Sequence, residues 1–278
     1  MIIRHSNNFN LLRFIFATMV IVAHAPQLFD NNHERDLLFR LGHSMDLGQL
    51  AVDLFFILSG FLIVKSWQSN PSITSFLSKR IRRIYPGFVA ASLFCAFIVG
   101  PIAASNSADY FANFSFGKFA LGTALLQKPV TPPVFPGTEL QLNGSMWTIA
   151  PEFTCYLAVL GLGLLGFVRD RRLWACCTAL VVTMFAIQRF ELAVWLPDYW
   201  LRFAGCFMSG GVIFLFREKI PRSDGLAMFA ALAIVACQFS WRLSELVVMV
   251  AAPFLIIHLG QKHWQPIAGF NKMPDVSY

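Results

Sequence analysis

Two ionisable side chains lie within the first long apolar stretch of the sequence, NLLRFIFATMVIVAHAPQLF at residues 10–29. Arg13 and His24 are eleven residues apart, so a helix would place them on one face and about 16 Å apart along its axis. An ionisable residue inside a membrane span is costly and by default marks a pathway, a charge pair or a reaction centre. The pair therefore predicts a functional stripe. The alternative is that Arg13 extends to the membrane surface and His24 caps the other end of the helix.

A carboxylate interrupts the second apolar stretch, residues 48–66. Asp53 lies in the outer third of this predicted span, where a carboxylate needs a cationic or hydrogen-bonding partner. We therefore include Asp53 among the candidate catalytic residues. Ser59 and Gly60 follow it, and such small residues allow two helices to approach closely, so we expect them to serve packing.

A basic cluster, KRIRRIYP, follows the second stretch at residues 79–86. Arg80 and Arg83 are three residues apart and would share one face if the segment is helical. Paired guanidinium groups suit phosphate, because their planar forks bind oxyanions through two hydrogen bonds. The same cluster is also a determinant of membrane topology, and the two readings are compatible.

An acidic residue begins the fourth apolar stretch, in the sequence NGSMWTIAPEF. Pro151 suits the first turn of a helix, and Glu152 would then project near the depth of His24. A carboxylate beside a histidine orients the ring and stabilises its cation, which is an acid–base arrangement. The alternative is that Glu152 only stabilises the helix N-terminus by its charge.

The composition indicates that membrane-spanning helices position these residues. Of the 278 residues 56% are apolar and only 13% are charged, whereas globular domains are about 25% charged. The sequence predicts an all-α bundle of about eight membrane-spanning helices, and it excludes a soluble protein. We place the spans near residues 10–29, 48–66, 84–104, 147–167, 173–190, 200–216, 224–240 and 243–260. The six cysteines lie in apolar stretches without metal-ligand spacing, so we expect neither a disulfide nor a metal site.

Basic residues in the loops predict the orientation of the chain. The net charge of +7 comes from clusters at the span ends, so it indicates topology and not nucleic-acid binding. Loops after the second, fourth, sixth and eighth spans are basic, which places them and the N-terminus in the cytoplasm. Residues 106–145 then form a long outer segment. Within it, residues 116–126 are apolar but too short to cross a membrane, so we expect a re-entrant or interfacial helix there.

Four segments together resemble the acyltransferase 3 family of integral-membrane acyltransferases. The matching pieces are NLLR with His24, VDLFFILSGFL, RIRRIYP, and SMW through Glu152. They cover the first four predicted spans, and Asp275–Tyr278 is similar to the start of a further family element, Asp-x-Ser-Tyr-Gly. In the family this element leads into more spans, about ten in all. The resemblance therefore implies a single membrane-embedded domain over residues 1–278 whose C-terminal spans are missing. One departure is Pro151 with a single glutamate, where relatives often have two acidic residues or Tyr-Glu.

The resemblance implies an enzyme of the bacterial inner membrane. Family members are thought to take an acyl group, usually acetyl, from cytoplasmic acyl-CoA and pass it to a hydroxyl of an extracytoplasmic glycan or lipid-linked sugar. Lipid and the polysaccharide-synthesis machinery would be further partners. By this reading Arg13, Arg80 and Arg83 bind coenzyme A, and no metal takes part. His24 is the general base or the acyl-accepting nucleophile, oriented by Glu152 or Asp53.

Two other classes of protein remain open from the residues alone. A transporter or lipid-carrier flippase would also place arginine, histidine and aspartate inside spans, and it would move substrate without consuming acyl-CoA. A membrane scaffold without catalytic activity would tolerate the loss of His24, although packing alone gives no reason for Arg13 and His24 on one face.

Overall fold

The computed structural model describes residues 8–30, 35–134, 142, 144–193, 196–221 and 223–261. These residues form helices and contain no strand. The α-helices are α1 (Phe9–Asp30), α2 (Phe39–Gly42), α3 (Leu47–Ser69), α4 (Ile73–Phe94), α5 (Gly100–Ala103), α6 (Ser107–Ala112), α7 (Phe116–Ala124), α8 (Ile149–Leu164), α9 (Arg171–Arg189), α10 (Asp198–Phe216), α11 (Asp224–Ala236) and α12 (Ser244–Gln261). A π-helical turn (Cys95–Val99) and 3₁₀ turns (Gly144–Thr148 and Cys237–Phe239) complete them.

Five stretches of helix within the described residues are long and apolar enough to cross a membrane. They are Leu47–Ser69, Ile73–Ala103, Gly144–Leu164, Asp198–Phe216 and Ser244–Gln261. These five correspond to five of the predicted spans, and the all-helical class is confirmed. The count of eight stays a prediction, because Phe9–Ala25 and Asp224–Phe239 are shorter apolar helices by the same measure and α9 is not among the five.

The chain divides into two compact units. The first unit contains the described residues between 8 and 71 and between 159 and 261, and the second contains those between 72 and 158. Helix α3 lies at the centre of the first unit, where it packs on α1, α10 and α12. Helix α9 packs on α10, and α11 packs on α12.

Glycines permit the closest helix contact in the first unit. A Cβ atom at Gly60 of α3 would lie 1.8 Å from the carbonyl oxygen of Phe207 in α10, and one at Gly210 would lie 1.9 Å from the carbonyl oxygen of Ile57. The backbones of α3 and α10 therefore touch with no room for any side chain. The expected packing role of Gly60 is supported by this contact.

Aromatic rings hold the neighbours of α3 in register. Phe16 of α1 contacts Phe55 with ring centroids 5.4 Å apart, and Phe56 stacks on Phe203 of α10 at 4.2 Å. Near the end of α12, the Phe9 ring occupies the space that a Cβ at Gly260 would need. The order of these ring contacts shows that α1 runs antiparallel to α3, while α3 and α10 run in the same direction.

The second unit contains α4 to α7 and, among its described residues, the first part of α8. Helix α4 begins at the Ser72 cap, whose hydroxyl accepts a hydrogen bond from the Ser75 amide. It continues through the π-helical turn into α5, so the predicted span 84–104 starts a few turns earlier than expected. Helix α7 coincides with the apolar stretch 116–126. Its Phe119 packs with Phe114 and with Tyr110, whose hydroxyl donates to the Ala96 carbonyl at 2.9 Å.

Candidate active site

His24 lies near the C-terminal end of α1 with its ring half-buried. Its Nδ1 atom is 2.7 Å from the carbonyl oxygen of Val20, one turn earlier. A carbonyl oxygen accepts a hydrogen bond and cannot donate one, so Nδ1 carries the hydrogen. In the neutral ring Nε2 is then the basic nitrogen, which is the arrangement a general base requires.

The first turn of α3 lies beside His24. A Cβ atom at Gly48 would be 3.1 Å from Ala23 Cβ and 3.8 Å from His24 Cε1. Asp46 caps this turn, because its Oδ1 accepts from the Gln49 amide at 2.6 Å. The missing side chain at Gly48 thus lets the capped end of α3 approach the histidine closely.

Arg13 is also buried on α1, with 7% of its surface exposed. Leu12 and Phe16, which flank it along the same helix, are buried, while Phe14 and Ile15 are more than 40% exposed. The side of α1 that carries Arg13 therefore faces the first unit. Its predicted role toward coenzyme A stays a prediction.

Asp53 is completely buried in α3, with 0% exposure. Its Oδ1 lies 3.2 Å from Nε of Arg202 in α10. The sequence predicts a cationic or hydrogen-bonding partner for this carboxylate, and Arg202 is a cationic partner.

Glu245 extends this pair into a four-helix charge network. Its Oε1 accepts from Arg202 Nη1 at 3.1 Å and from Gln49 Nε2 at 2.5 Å, while its Oε2 lies 3.0 Å from Arg189 Nε. Glu245 is only 3% exposed. Two carboxylates and two guanidinium groups from α3, α9, α10 and α12 thus balance one another inside the first unit; we call Gln49, Asp53, Arg189, Arg202 and Glu245 the charge network.

Sequence reasoning missed four members of the charge network, the uncharged Gln49 and three charged residues. Arg202 and Glu245 lie inside the predicted spans 200–216 and 243–260, and Arg189 lies at the end of 173–190. The three charged residues could have been found by the signal that indicates Arg13 and Asp53, namely a charge within an apolar stretch.

The arginine cluster of the second unit lies on α4. Arg80 and Arg83 are both half-buried, whereas Arg82 between them is exposed. The helix therefore places Arg80 and Arg83 on one face, as predicted for a helical segment. The guanidinium carbon of Arg80 lies 5.6 Å from the centre of the Phe76 ring and 5.8 Å from that of Tyr156, within the range of cation–π attraction.

Tyr156 of α8 joins this cluster to Glu152. The Tyr156 side chain is buried, and its hydroxyl donates a hydrogen bond to Oε1 of Glu152. One turn away, Phe153 meets Tyr85 of α4 edge to face, with centroids 6.1 Å apart. Helices α4 and α8 therefore bring Glu152, Tyr156 and Arg80 together, a grouping that the sequence did not predict.

The predicted site residues thus divide between the two units. His24, Arg13 and Asp53 belong to the first unit, and Arg80, Arg83 and Glu152 belong to the second. The predicted pairing of His24 with Glu152 stays a prediction. Asp275–Tyr278 lies outside the described residues.

The apolar helices and the charges buried among them indicate the class of protein. Several apolar helices of spanning length, with charged side chains buried between them, make this a multi-pass helical membrane protein. The model of the acyltransferase 3 family, described as an acyltransferase domain, matches residues 6–270. The chain therefore belongs to this family, and the resemblance seen in the sequence is confirmed.

Three curated relatives show what the chain is similar to. An "O-acetyl transferase" of Shigella phage Sf6 is 34% identical over 152 residues, which cover 55% of this chain and 44% of the phage protein. "Nodulation protein 10" of Rhizobium leguminosarum bv. viciae is 28% identical, covering 68% and 51% of the two chains. "Acyltransferase MdmB" of Streptomyces mycarofaciens is 28% identical, covering 63% and 44%. The chain thus spans about half the length of these relatives, and no solved structure matches it.

Proposed function

We propose that this chain belongs to a membrane O-acyltransferase that moves an acyl group, most simply acetyl, from acyl-CoA to a hydroxyl of a glycan. Family membership and the similarity to a protein named O-acetyl transferase support this reaction class. The structural observation that carries the proposal is the ring of His24. Its Nδ1 hydrogen is directed at the Val20 carbonyl, which leaves Nε2 as the basic nitrogen.

His24 then acts on the acceptor in one step of proton transfer. Nε2 takes the proton of a sugar hydroxyl while the hydroxyl oxygen forms a bond to the thioester carbonyl carbon. The bond from that carbon to sulfur breaks, and the coenzyme A thiolate leaves and takes up the proton. The products are an O-acyl glycan and coenzyme A, so no oxidant, reductant or metal is required.

Arg80 and Arg83 are the proposed binding groups for the phosphates of coenzyme A. Both are arginines on one face of α4, and the guanidinium group of Arg80 lies within cation–π distance of two aromatic rings. A guanidinium group fixed in this way loses little conformational freedom when it binds an oxyanion. Arg13 is a further candidate for the donor, and Asp53 and Glu152 remain candidates for acid–base work.

Binding of coenzyme A tests the donor half of the proposal. We expect Arg80→Gln and Arg83→Gln each to weaken binding of coenzyme A to the lipid-reconstituted protein, by roughly 10-fold or more if a charge-assisted hydrogen bond is lost. Arg82→Gln is the matched control, because Arg82 is exposed in the same turn and its substitution removes the same charge. If all three substitutions weaken binding equally, the cluster attracts coenzyme A only through its overall charge. If Arg80→Gln and Arg83→Gln leave the affinity for coenzyme A unchanged, neither arginine binds it.

We further propose that the protein resides in a bacterial inner membrane with its N-terminus in the cytoplasm. The basic loops support this orientation, since the clusters after the second and fourth predicted spans would then lie on the side where acyl-CoA is made. The acceptor would be a glycan or a lipid-linked sugar on the opposite side, presented by the machinery that assembles surface polysaccharide.

A further inference from the structure

The charge network is not explained by packing. Asp53 and Glu245 are buried, and the side chains of Arg189 and Arg202 are only 17% and 12% exposed. Replacing buried ion pairs by apolar side chains of similar volume is often neutral or stabilising, because the pairs must be desolvated. Charged groups placed inside an apolar helix bundle therefore indicate a role beyond holding the helices together.

One hydrogen bond links the charge network to the surroundings of His24. Gln49 is the uncharged member, and its Nε2 donates to Glu245 Oε1 of α12 at 2.5 Å. Its own backbone amide donates to Asp46, the cap of α3. At Gly48, immediately before it, an added Cβ atom would lie 3.1 Å from Ala23 Cβ and 3.8 Å from His24 Cε1. Gln49 thus ties the turn beside His24 to a carboxylate on another helix.

We propose that Glu245 is a positioning residue that, through Gln49, holds the first turn of α3 against the His24-bearing turn of α1. The two arginines serve this role because they fix the Glu245 carboxylate from both sides, through Arg202 at Oε1 and Arg189 at Oε2. The contact sets the space next to the histidine ring in which an acceptor hydroxyl must fit. The inference rests on the proposed function, in which His24 acts on that hydroxyl.

Gln49→Ala tests the link without leaving a charge unbalanced. In the lipid-reconstituted full chain we expect transfer of labelled acetyl from acetyl-CoA to cell-envelope glycan to slow by about 10- to 100-fold, as for a small misplacement of a reacting group. KM for acetyl-CoA and the melting temperature should stay unchanged. Gln68→Ala is the matched control, because Gln68 lies at the other end of α3 and donates to the Val168 carbonyl at 3.0 Å. A Gln49→Ala protein with the parent rate would overturn the proposal.

Exchanging the two partners tests whether the hydrogen bond between positions 49 and 245 sets the rate of acetyl transfer. Gln49→Glu combined with Glu245→Gln keeps the charge of the network and allows the hydrogen bond in the opposite direction. We expect this double variant to transfer acetyl faster than either single variant. A double variant no faster than the slower single variant would argue against the link.

A crosslink measures the position of the turn independently of acyl transfer. Cysteines introduced by Ala23→Cys and Gly48→Cys would lie close enough to join after a small adjustment, because the two Cβ positions are 3.1 Å apart. We expect the disulfide, located by mass spectrometry, to form more slowly with Gln49→Ala and at the parent rate with Gln68→Ala. An unchanged crosslink with Gln49→Ala would overturn the positioning proposal. If the crosslink forms more slowly with Gln49→Ala but the parent protein transfers no acetyl, the proposed function is refuted while the positioning of the turn is supported.

Discussion

Tyr156 connects Glu152 and Arg80, two residues with different predicted roles. Its hydroxyl donates to Glu152, and its ring lies 5.8 Å from the Arg80 guanidinium carbon. Glu152 was predicted as an acid–base partner and Arg80 as a phosphate ligand, yet the two side chains contact the same tyrosine. The Tyr156 ring of α8 thus lies within cation–π distance of the Arg80 guanidinium group.

Two substitutions of Tyr156 separate its ring from its hydroxyl. We expect Tyr156→Leu to weaken binding of coenzyme A by roughly 2- to 30-fold, because a cation–π contact contributes about 0.5–2 kcal/mol. Tyr156→Phe keeps the ring and should bind coenzyme A with nearly the parent affinity. Equilibrium binding to the reconstituted protein measures both variants. A leucine variant with the parent affinity would show that the ring does not position Arg80.

Individual charges could be read from the sequence, but their partners could not. Asp53 was expected to need a cation because a charge in an apolar helix is costly. The cation is Arg202, which lies about 150 residues later in the chain and on a helix that runs parallel to α3. Which helices are neighbours depends on packing across the bundle, and no local pattern in one sequence encodes it.

The packing of α3 against α10 depends on glycines at the contact. Gly60→Ala places a methyl group against the Phe207 carbonyl of α10, and backbone cannot move aside as a side chain can. We expect a loss of about 1–3 kcal/mol or more in the free energy of unfolding, seen as a lower melting temperature in detergent. Gly161→Ala is the control, since nothing beyond its chain neighbours and its own helix backbone lies within 4 Å of that added carbon. An equal shift for both variants would contradict the close contact of α3 with α10.

The predicted elements match the structure where hydropathy decides them. The spans 48–66, 200–216 and 243–260 fall within α3, α10 and α12, with errors of a few residues at the ends. The span 84–104 begins early because the basic cluster is itself helical: Ser72 caps α4, and the chain continues through Arg80 and Arg83 into the apolar part. The π-helical turn at Cys95–Val99 leaves no signal in the hydropathy pattern.

At the scale of the whole molecule, the basic loops predict which side of the membrane each segment faces. With the native cysteines replaced, we expect an impermeant maleimide added to intact cells to label Asn113→Cys in the predicted outer segment. Arg82→Cys should be labelled only after the cells are permeabilised. Both side chains are exposed, so access and not burial decides the result. The reverse pattern would invert the proposed orientation and place the arginine cluster away from cytoplasmic acyl-CoA.

Transfer of an acetyl group tests the proposed function most directly. The protein, reconstituted in lipid, is incubated with radiolabelled acetyl-CoA and total cell-envelope glycan, with His24→Ala in parallel. We expect label in glycan with the parent and none with His24→Ala, although both proteins bind coenzyme A equally. Equal labelling by the two proteins would contradict the role of His24. Movement of glycan across the membrane without consumption of acetyl-CoA would contradict acyl transfer itself and favour a transporter.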